Sequence, residues 1–278
     1  MFAANSLLFV PGSRPDRFAK ARAAGAGLVV IDLEDAVGPA DKGTAREAAL
    51  KQVADARSSG DDGFAVRINA VSTAAGIRDL AALTEAETLP AKLMVPMVES
   101  PVELDIVAAA FGERCPELIP LIETPRGLRS ALGIASHPKV CAVMFGGADF
   151  SGELQVAVSW EPLLAARQHL ILACAEARVP LIDVPWIHLE DEDGLTRECE
   201  AARAIGIQSK SAIHPRQIPI IEKTFAPTAE QVAEAEEALK VYEETGGKDV
   251  RHRGRMLEAP MIKTYRAVLA RSKGQADA

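Results

Sequence analysis

Short apolar runs alternate with Ala-rich segments of helical spacing along most of the 278-residue chain. Each run is followed by a turn that contains Gly, Pro or charged residues, as β-strands in alternating β/α proteins are. The runs occupy residues 6–11, 28–33, 64–68, 92–96, 118–122, 140–145, 179–183 and 206–213. This alternation predicts a parallel sheet, because each strand returns to the same edge through a crossover helix. Eight such units favour a TIM (β/α)8 barrel, with a doubly wound open sheet as the alternative.

The segments between the runs begin with Pro, Asp or Thr, which favour first helical turns. We expect helices over residues 15–24, 41–56, 77–84, 101–111, 124–135, 162–177 and 193–204. After the eighth unit, the pattern predicts an acidic helix over 228–245, a loop over 246–254, a last helix over 260–271 and a frayed tail over 272–278. We therefore expect a barrel domain over 1–225 and a C-terminal helical extension over 226–278, which caps the barrel or packs on a neighbouring subunit.

Composition argues against several classes of protein. The chain has 31 Lys and Arg against 39 Asp and Glu, a formal net charge of −8, whereas nucleic-acid binders draw much of their affinity from a basic surface. No run approaches the roughly 18 apolar residues that a membrane-spanning helix needs. The four cysteines form no C-x-x-C pair, which is typical of a reducing compartment. We expect a cytoplasmic enzyme that acts on small molecules, with neither nucleic acid nor membrane as a partner.

Two acidic residues close consecutive runs, Glu123 after the fifth and Asp149 after the sixth. In a parallel barrel, neighbouring strands lie about 4.8 Å apart, so both carboxylates can reach one cation. Two carboxylates that leave most of an octahedron to water and substrate are typical of a Mg²⁺ site. Gly146 and Gly147 allow the backbone to approach a ligand before Asp149. The alternative for Asp149 is an N-cap of the following helix.

Arg67 lies near the end of the third apolar run with apolar neighbours on both sides, where its planar guanidinium suits a carboxylate ligand. The alternative is an ion pair with Glu34 or Asp35, which follow the second run, and the two readings are compatible. Glu34 and Asp35 are themselves candidate catalytic residues.

Arg14, Arg17 and Lys20 lie close together after the first run, and Lys42 follows the second. A basic patch in an acidic protein suits a polyphosphate ligand. The alternative is a solvated helix face.

Seven motifs occur in order between residue 6 and about residue 270. They are Leu8-Phe-Val-Pro-Gly-Ser-Arg-Pro, Ile31-Asp-Leu-Glu-Asp-Ala-Val, Val66-Arg-Ile-Asn, Ile122-Glu-Thr-Pro, Phe145-Gly-Gly-Ala-Asp, Ile213-His-Pro-Arg-Gln and Gly254-Arg-Met-Leu-Glu-Ala-Pro. In this order they resemble the citrate lyase β-subunit family of the HpcH/HpaI aldolase group, which is related to malyl-CoA and citramalyl-CoA lyases. The resemblance implies a phosphoenolpyruvate/pyruvate-type barrel, assembled as homotrimers or hexamers, that makes or breaks the carbon–carbon bond between an acyl thioester and a 2-keto acid.

The resemblance also implies roles for individual residues. Glu123 and Asp149 would bind Mg²⁺, with Gly147 and Ala148 beside the substrate, and Arg67 would hold the keto-acid carboxylate. The coenzyme A portion would be received by Phe9, Arg14, Arg17, Lys20, Lys42 and the backbone near Ile213 and His214. In relatives, an aspartate in a late Met-Ile-Asp-x-Pro motif of an adjacent subunit acts as acid/base, and Glu258 stands at that position here.

Two departures and two alternatives accompany the resemblance. Met97 stands where many relatives have lysine, and Glu258 replaces the usual aspartate; either change is compatible with a different substrate. One alternative function is a citrate lyase β-chain that acts on a carrier-protein thioester within a complex. The other is a metal-dependent pyruvate aldolase for free aldehydes, which relies on an early histidine. The first histidine here is His137, which argues against the aldolase.

Overall fold

The described part of the chain folds around a closed barrel of eight parallel strands in sequence order. A computed structural model describes residues 2–276, with side chains described as far as Ser272. The barrel strands are β1 Ser6–Pro11, β2 Leu28–Asp32, β3 Phe64–Arg67, β4 Lys92–Val95, β5 Glu117–Ile122, β6 Val143–Phe145, β7 Leu181–Asp183 and β8 Ser209–Ala212. The predicted TIM (β/α)8 barrel is therefore confirmed, and the open-sheet alternative is excluded because β1 pairs with β8.

Apolar side chains from successive strands fill the barrel core, among them Leu7, Val30, Ala65, Met94 and Ile182. Burial of these side chains on strands that are also covered by helices explains the near-continuous apolar runs of the sequence. The parallel register brings the strand ends to one edge.

Ten helices surround the strands in the described residues. They are α1 Phe18–Ala23, α2 Lys42–Ser58, α3 Ala74–Glu85, α4 Pro101–Phe111, α5 Pro125–Arg129, α6 Ala131–Ala135, α7 Gly147–Leu154, α8 Trp160–Ala177, α9 Glu192–Ala204 and α10 Ile218–Phe225. The helix predicted over 124–135 is divided at Ser130, whose dihedral angles (φ −96°, ψ 4°) leave the helical region. Helices α7 and α10 are not among the predicted helices.

The chain divides into two compact units, the first ending at Thr224 and the second beginning at Phe225. The second contains α11 Ala229–Glu244, β9 Val250–His252, β10 Arg255–Leu257 and α12 Ala259–Ala276. Strands β9 and β10 form an antiparallel hairpin, so the prediction of a loop over 246–254 was wrong for residues 250–252.

The turn of this hairpin and the length of the C-terminal helix are two further features of the second unit. Arg253 and Gly254 both have positive φ, 46° and 78°, as a tight two-residue hairpin turn requires. Helix α12 continues to Ala276 through most of the tail that we expected to be frayed, and residues 277 and 278 lie outside the described residues. In the described part of the chain, no helix combines the length and apolar character needed to cross a membrane.

Candidate active site

Arg67 and Asp32 form a buried ion pair at the carboxyl edge of the barrel. They lie opposite each other in the parallel register of β2 and β3. Nε and Nη2 of Arg67 each donate a 2.7 Å hydrogen bond to the carboxylate of Asp32. The Asp32 carboxylate also accepts hydrogen bonds from the backbone N–H groups of Glu34 and Ala36, and it therefore stabilises the turn after β2. Our sequence reasoning missed Asp32 as the main partner of Arg67; register matching of the two strand ends would have indicated it.

Glu34 and Asp35 both approach the remaining nitrogen of this guanidinium. Nη1 of Arg67 lies 3.0 Å from Oε2 of Glu34 and 3.3 Å from Oδ2 of Asp35. The contact between Nη1 of Arg67 and Oε2 of Glu34 is an ion pair without the alignment of a hydrogen bond. The buried Oε2 of Glu34 therefore has no hydrogen-bond partner among the described residues. Burial raises the pKa of Glu34 to about 8 against the opposing charge of Arg67, and Glu123 raises it further. The titration of Glu34 is therefore shifted toward neutral pH.

Glu123 follows β5 and is 3% exposed. Its Oε2 accepts a 2.7 Å hydrogen bond from the backbone N–H of Met97, a residue with φ of +54°. That left-handed conformation is uncommon for a residue with a side chain. At Met97 it accompanies the hydrogen bond from the backbone N–H to the Glu123 carboxylate. Burial raises the pKa of Glu123 to about 7, with repulsion from Asp149 adding to it, while the Met97 hydrogen bond and Arg67 lower it.

Gly146 and Gly147 permit a close passage of the backbone from β6 into α7. A Cβ atom on Gly146 would lie 2.1 Å from Cγ of Glu123, and one on Gly147 would lie 2.4 Å from Cγ1 of Val184. Neither position tolerates a side chain without displacing its neighbour. The glycines therefore set how closely the first turn of α7 approaches Glu123.

Asp149 lies in that first turn, next to the exposed Ala148. The N-cap position of α7 is occupied by Gly146, so the alternative assignment of Asp149 as an N-cap was wrong. Burial, followed by repulsion from Asp35, raises the pKa of Asp149. The Asp149 side chain is exposed. It lies close enough to Asp35 to be repelled by it, and it does not cap the helix.

The donor set at this edge fits a hard divalent cation. Asp32, Glu34 and Asp35 contact the Arg67 guanidinium. Glu123 and Asp149 interact with its charge, and the pKa values of Glu34, Glu123 and Asp149 are raised by burial and mutual repulsion. A cation relieves such repulsion, and carboxylate oxygens are the ligands that Mg²⁺ prefers. Within residues 2–276, no group of three or more His, Cys, Asp or Glu side chains is arranged to hold a metal alone. A cation held by Glu123 and Asp149 would keep places for water and substrate.

A cavity of about 670 Å³ opens beside β1 and the end of β8. It is lined by Leu8, Phe9, Val10, Pro11, Arg14, Asp16, Arg17, Lys20, Ala21, Ile213, His214, Pro215 and Arg216. The structure thus brings together six of the seven residues that the resemblance assigned to coenzyme A. The guanidinium carbon of Arg67 lies 5.0 Å from the centroid of the Phe9 ring, so Phe9 is shared by the cavity and the acidic site.

Lys42 is the seventh of those residues, and the structure does not bring it to the cavity. Its ammonium donates to the carbonyl oxygens of Leu33 and Glu34, at 2.9 and 3.0 Å, and to Oδ1 of Asn69 at 2.6 Å. Asn69 in turn donates to the buried carboxylate of Asp79. These three hydrogen bonds fasten the turn that carries Glu34, a role that charge alone did not reveal.

Glu258 and His137 also carry expectations from the sequence. Glu258 belongs to the second unit, between β10 and α12, where its carbonyl accepts from the N–H groups of Met261 and Ile262 and its side chain is exposed. The buried imidazole of His137 accepts from the N–H of Lys139, as a structural histidine does. The acid/base role of Glu258 stays a prediction.

A closed parallel barrel with clustered carboxylates and a guanidinium at its carboxyl edge defines a TIM-barrel protein of the type whose active site lies at that edge. The HpcH/HpaI aldolase/citrate lyase family matches residues 5–215, and the chain belongs to that family. A mitochondrial citramalyl-CoA lyase of Rattus norvegicus is 31% identical over 93% of this chain and 82% of its own. A (3S)-malyl-CoA thioesterase of Cereibacter sphaeroides is 32% identical over 96% and 94%.

Solved structures agree with this assignment. CitE from Mycobacterium tuberculosis, in complex with magnesium, acetoacetate and coenzyme A, superposes with a TM-score of 0.81 at 31% identity, over 98% of each chain.

Proposed function

We propose that the protein is a Mg²⁺-dependent carbon–carbon lyase. It cleaves, or in reverse forms, a 3-hydroxyacyl-CoA such as citramalyl-, malyl- or citryl-CoA, giving an acyl-CoA and a 2-keto acid. The observation that carries this proposal is the shared wall at Phe9, which joins an acidic site with a fixed guanidinium to a large basic cavity. The relatives named as citramalyl-CoA lyase and CitE support the same reaction class.

Glu123 and Asp149 would hold the Mg²⁺. When bound, this ion supplies Lewis-acid stabilisation of negative charge on the substrate oxygen. The two carboxylates fit the task because the described site offers only oxygen donors and because their pKa values are raised without a cation. Gly147 and Ala148 would contact the substrate beside Asp149 through their backbone.

Arg67 binds the carboxylate of the keto acid in this proposal. A guanidinium recognises a carboxylate through two parallel N–H groups, and its value as a binding group depends on a fixed plane. Asp32 fixes that plane through Nε and Nη2, while Glu34 and Asp35 approach Nη1. The incoming carboxylate replaces the charge contact of Nη1 with Asp35, the most exposed of these carboxylates.

Cleavage needs a group that removes the hydroxyl proton and a group that returns a proton to the α-carbon of the departing thioester. The pKa of Glu34, raised to about 8 beside Arg67, suits a group that takes up and releases a proton near neutral pH, and Asp35 lies next to it. We assign proton transfer to these two residues together with Glu258 of a neighbouring subunit. The longer glutamate side chain at 258 reaches one methylene further than the aspartate of relatives.

The basic cavity takes the coenzyme A portion. Arg17 and Lys20, together with Arg14 in its ion pair with Asp16, would receive its phosphates, and Phe9, Ile213 and His214 line the same cavity. The cavity favours a free coenzyme A thioester over a carrier-bound one, because a carrier supplies its own phosphopantetheine and leaves the nucleotide subsite without use. A homotrimer or hexamer in the cytoplasm, with residues 226–278 reaching a neighbouring subunit, completes the proposal.

The test is a panel of thioesters incubated with the purified protein, Mg²⁺ or a chelator. We expect stoichiometric acyl-CoA and 2-keto acid from at least one of citramalyl-, malyl- and citryl-CoA, and none with the chelator. Free coenzyme A without keto acid would instead indicate a thioesterase, which the relative from Cereibacter sphaeroides makes the second candidate. Turnover only with a carrier protein, or only with free aldehydes and pyruvate, would overturn the proposal in favour of the other two alternatives.

A further inference from the structure

Four charged side chains form a buried network among β7, β8, α8 and α9. Arg167, Asp183 and Lys210 are each 0% exposed, and Glu198 is 8% exposed. Nε of Arg167 donates to Asp183 at 2.8 Å, and Nζ of Lys210 donates to Asp183 at 2.9 Å and to Glu198 at 2.7 Å. Two cations thus face two carboxylates, so the network is balanced in charge.

The energy of this network does not explain its presence. Buried ion pairs are often no more stabilising than apolar side chains of the same volume, because desolvation offsets their attraction. Moreover, Nη1 of Arg167 has no hydrogen-bond partner among the described residues. The guanidinium lies instead 4.6 Å from the ring centroid of Trp160 and 5.8 Å from that of Phe145. This geometry indicates a role in holding neighbours in place.

The first neighbour is the aromatic pair on either side of Asp149. Phe145, under the Arg167 guanidinium, ends β6 directly before the glycine turn. Its ring makes an edge-to-face contact with Phe150, with centroids 5.3 Å apart. Since Phe150 directly follows Asp149, the two anchored rings hold both ends of the segment that carries this carboxylate.

The second neighbour is Val184, which follows β7. Its carbonyl oxygen accepts a 2.7 Å hydrogen bond from Nζ of Lys210. Its side chain occupies the space beside Gly147, where Cγ1 would meet an added Cβ at 2.4 Å. Lys210 therefore fixes the surface on which the first turn of α7 rests, independently of the aromatic pair.

We propose that Arg167 and Lys210 are positioning residues that hold Asp149 at the distance from Glu123 at which both carboxylates bind one Mg²⁺. This inference rests on the proposed function, since it takes Asp149 as a metal ligand. Loss of a group that orients a metal ligand typically lowers metal affinity about 10- to 100-fold. No residue of the network lines the basic cavity, so we expect coenzyme A affinity to stay unchanged.

The experiment measures the affinity for Mn²⁺ alone, from the loss of its free EPR signal, in folded variants without substrate. R167M/D183N keeps the buried charge balanced through Lys210 and Glu198, and Phe145→Leu removes the ring without touching an ion. We expect both of these variants to lower Mn²⁺ affinity about 10- to 100-fold. Arg167→Lys, which keeps the positive charge, should lower Mn²⁺ affinity less. Leu83→Ala, a buried truncation on α3, lowers the melting temperature but leaves Mn²⁺ affinity unchanged. Coenzyme A affinity, measured on each variant, stays at the wild-type value.

The variant Asp149→Asn distinguishes failure of the positioning inference from failure of the proposed metal site. If this variant loses Mn²⁺ affinity while folded R167M/D183N, Phe145→Leu and K210M/E198Q, which stays charge-balanced through Arg167 and Asp183, all bind Mn²⁺ within twofold of wild type, the positioning inference is overturned and the proposed metal site stands. If Asp149→Asn binds Mn²⁺ as wild type does, the metal site itself fails. Should a double variant not fold, Phe145→Leu and Arg167→Lys decide the question, because both leave the buried charges balanced.

Discussion

Arg67 and Asp32 meet across the β2–β3 edge in a bidentate ion pair, with two hydrogen bonds of 2.7 Å and both side chains buried. The pair fixes the plane of the guanidinium before any substrate arrives. Pre-orientation of this kind lowers the cost of binding, because the side chain loses little freedom when the ligand docks.

Asp32→Asn should weaken recognition of the keto acid without removing Arg67. A misplacement on the scale of an ångström can reduce kcat/KM about 100-fold, and we expect a fall of this order for condensation with the keto acid. Steady-state kinetics check it. Asp61→Asn, which breaks the more exposed Arg22–Asp61 pair, is the control and should leave kcat/KM unchanged. Wild-type kinetics in Asp32→Asn would show that Arg67 is held by other groups.

Glu123→Gln should abolish stabilisation of the fold by Mg²⁺. A ligand that binds only the native state stabilises it by about 2.7 kcal/mol at roughly 100 times its Kd, so the wild-type melting temperature rises with Mg²⁺. Differential scanning calorimetry with and without Mg²⁺ measures the effect. Glu117→Gln, the same change at the exposed start of β5, keeps the response. A response in Glu123→Gln equal to that of wild type would refute this ligand assignment.

The Asp183–Lys210 pair should widen the pH range over which the fold is stable. Burial alone would raise the pKa of Asp183, but Lys210 and Arg167 hold it below 3.8. Burial alone would lower the pKa of Lys210, but Asp183 and Glu198 hold it above 10.5. The stability due to Asp183 is therefore present above pH 3.8 and lost as the pH falls through its folded pKa. That due to Lys210 is present below pH 10.5 and lost as the pH rises through its folded pKa.

Denaturant unfolding as a function of pH checks this window in D183N/K210M, which removes one charge of each sign. The free energy of unfolding of wild type relative to this variant should fall by at most about 1.4 kcal/mol per pH unit at each end of the range. Between these ends, the difference stays constant. If the free energies of unfolding of wild type and variant differed by the same amount at every pH, neither Asp183 nor Lys210 would titrate differently in the folded and unfolded states.

Lys42→Met separates the two roles suggested for Lys42. Because the ammonium satisfies two carbonyl groups and Asn69, its loss should destabilise the fold by about 1–3 kcal/mol and reduce kcat through the turn that carries Glu34. The KM for the coenzyme A thioester should not change. Lys51→Met, on the exposed face of the same helix, is the control for helix charge. An increase in that KM with unchanged kcat would return Lys42 to coenzyme A binding.

R17Q/K20Q tests the basic cavity. Removal of two cations should raise the KM for a coenzyme A thioester, and the effect should shrink at high salt because exposed charges are screened. The corresponding pantetheine thioester, which lacks the nucleotide phosphates, should be cleaved equally by both proteins. Arg57→Gln, on an exposed part of α2, serves as the control. An unchanged KM would place the nucleotide outside this cavity.

Sequence reasoning reached the eight strand positions, because strand and helix leave periodic patterns that depend only on neighbouring residues. It also named Arg67, Glu123 and Asp149, since charged residues at the ends of apolar strands meet at one edge of a parallel barrel. The short helix α7 was not predicted, because its Gly-Gly start is equally typical of a loop; in the fold, these glycines let the helix begin close to Glu123 and Val184.

The amino-acid sequence by itself determined the barrel, its active edge and the residue types that line it. Tertiary structure alone decided which of those residues are partners: Asp32 and Arg67 are 35 positions apart, and Asp183 and Lys210 are 27 apart. Such pairs depend on sheet register and on burial from all sides, which no local pattern records. The same burial raises the pKa values of Glu34 and Glu123, because desolvation is a property of the folded surroundings rather than of the residue.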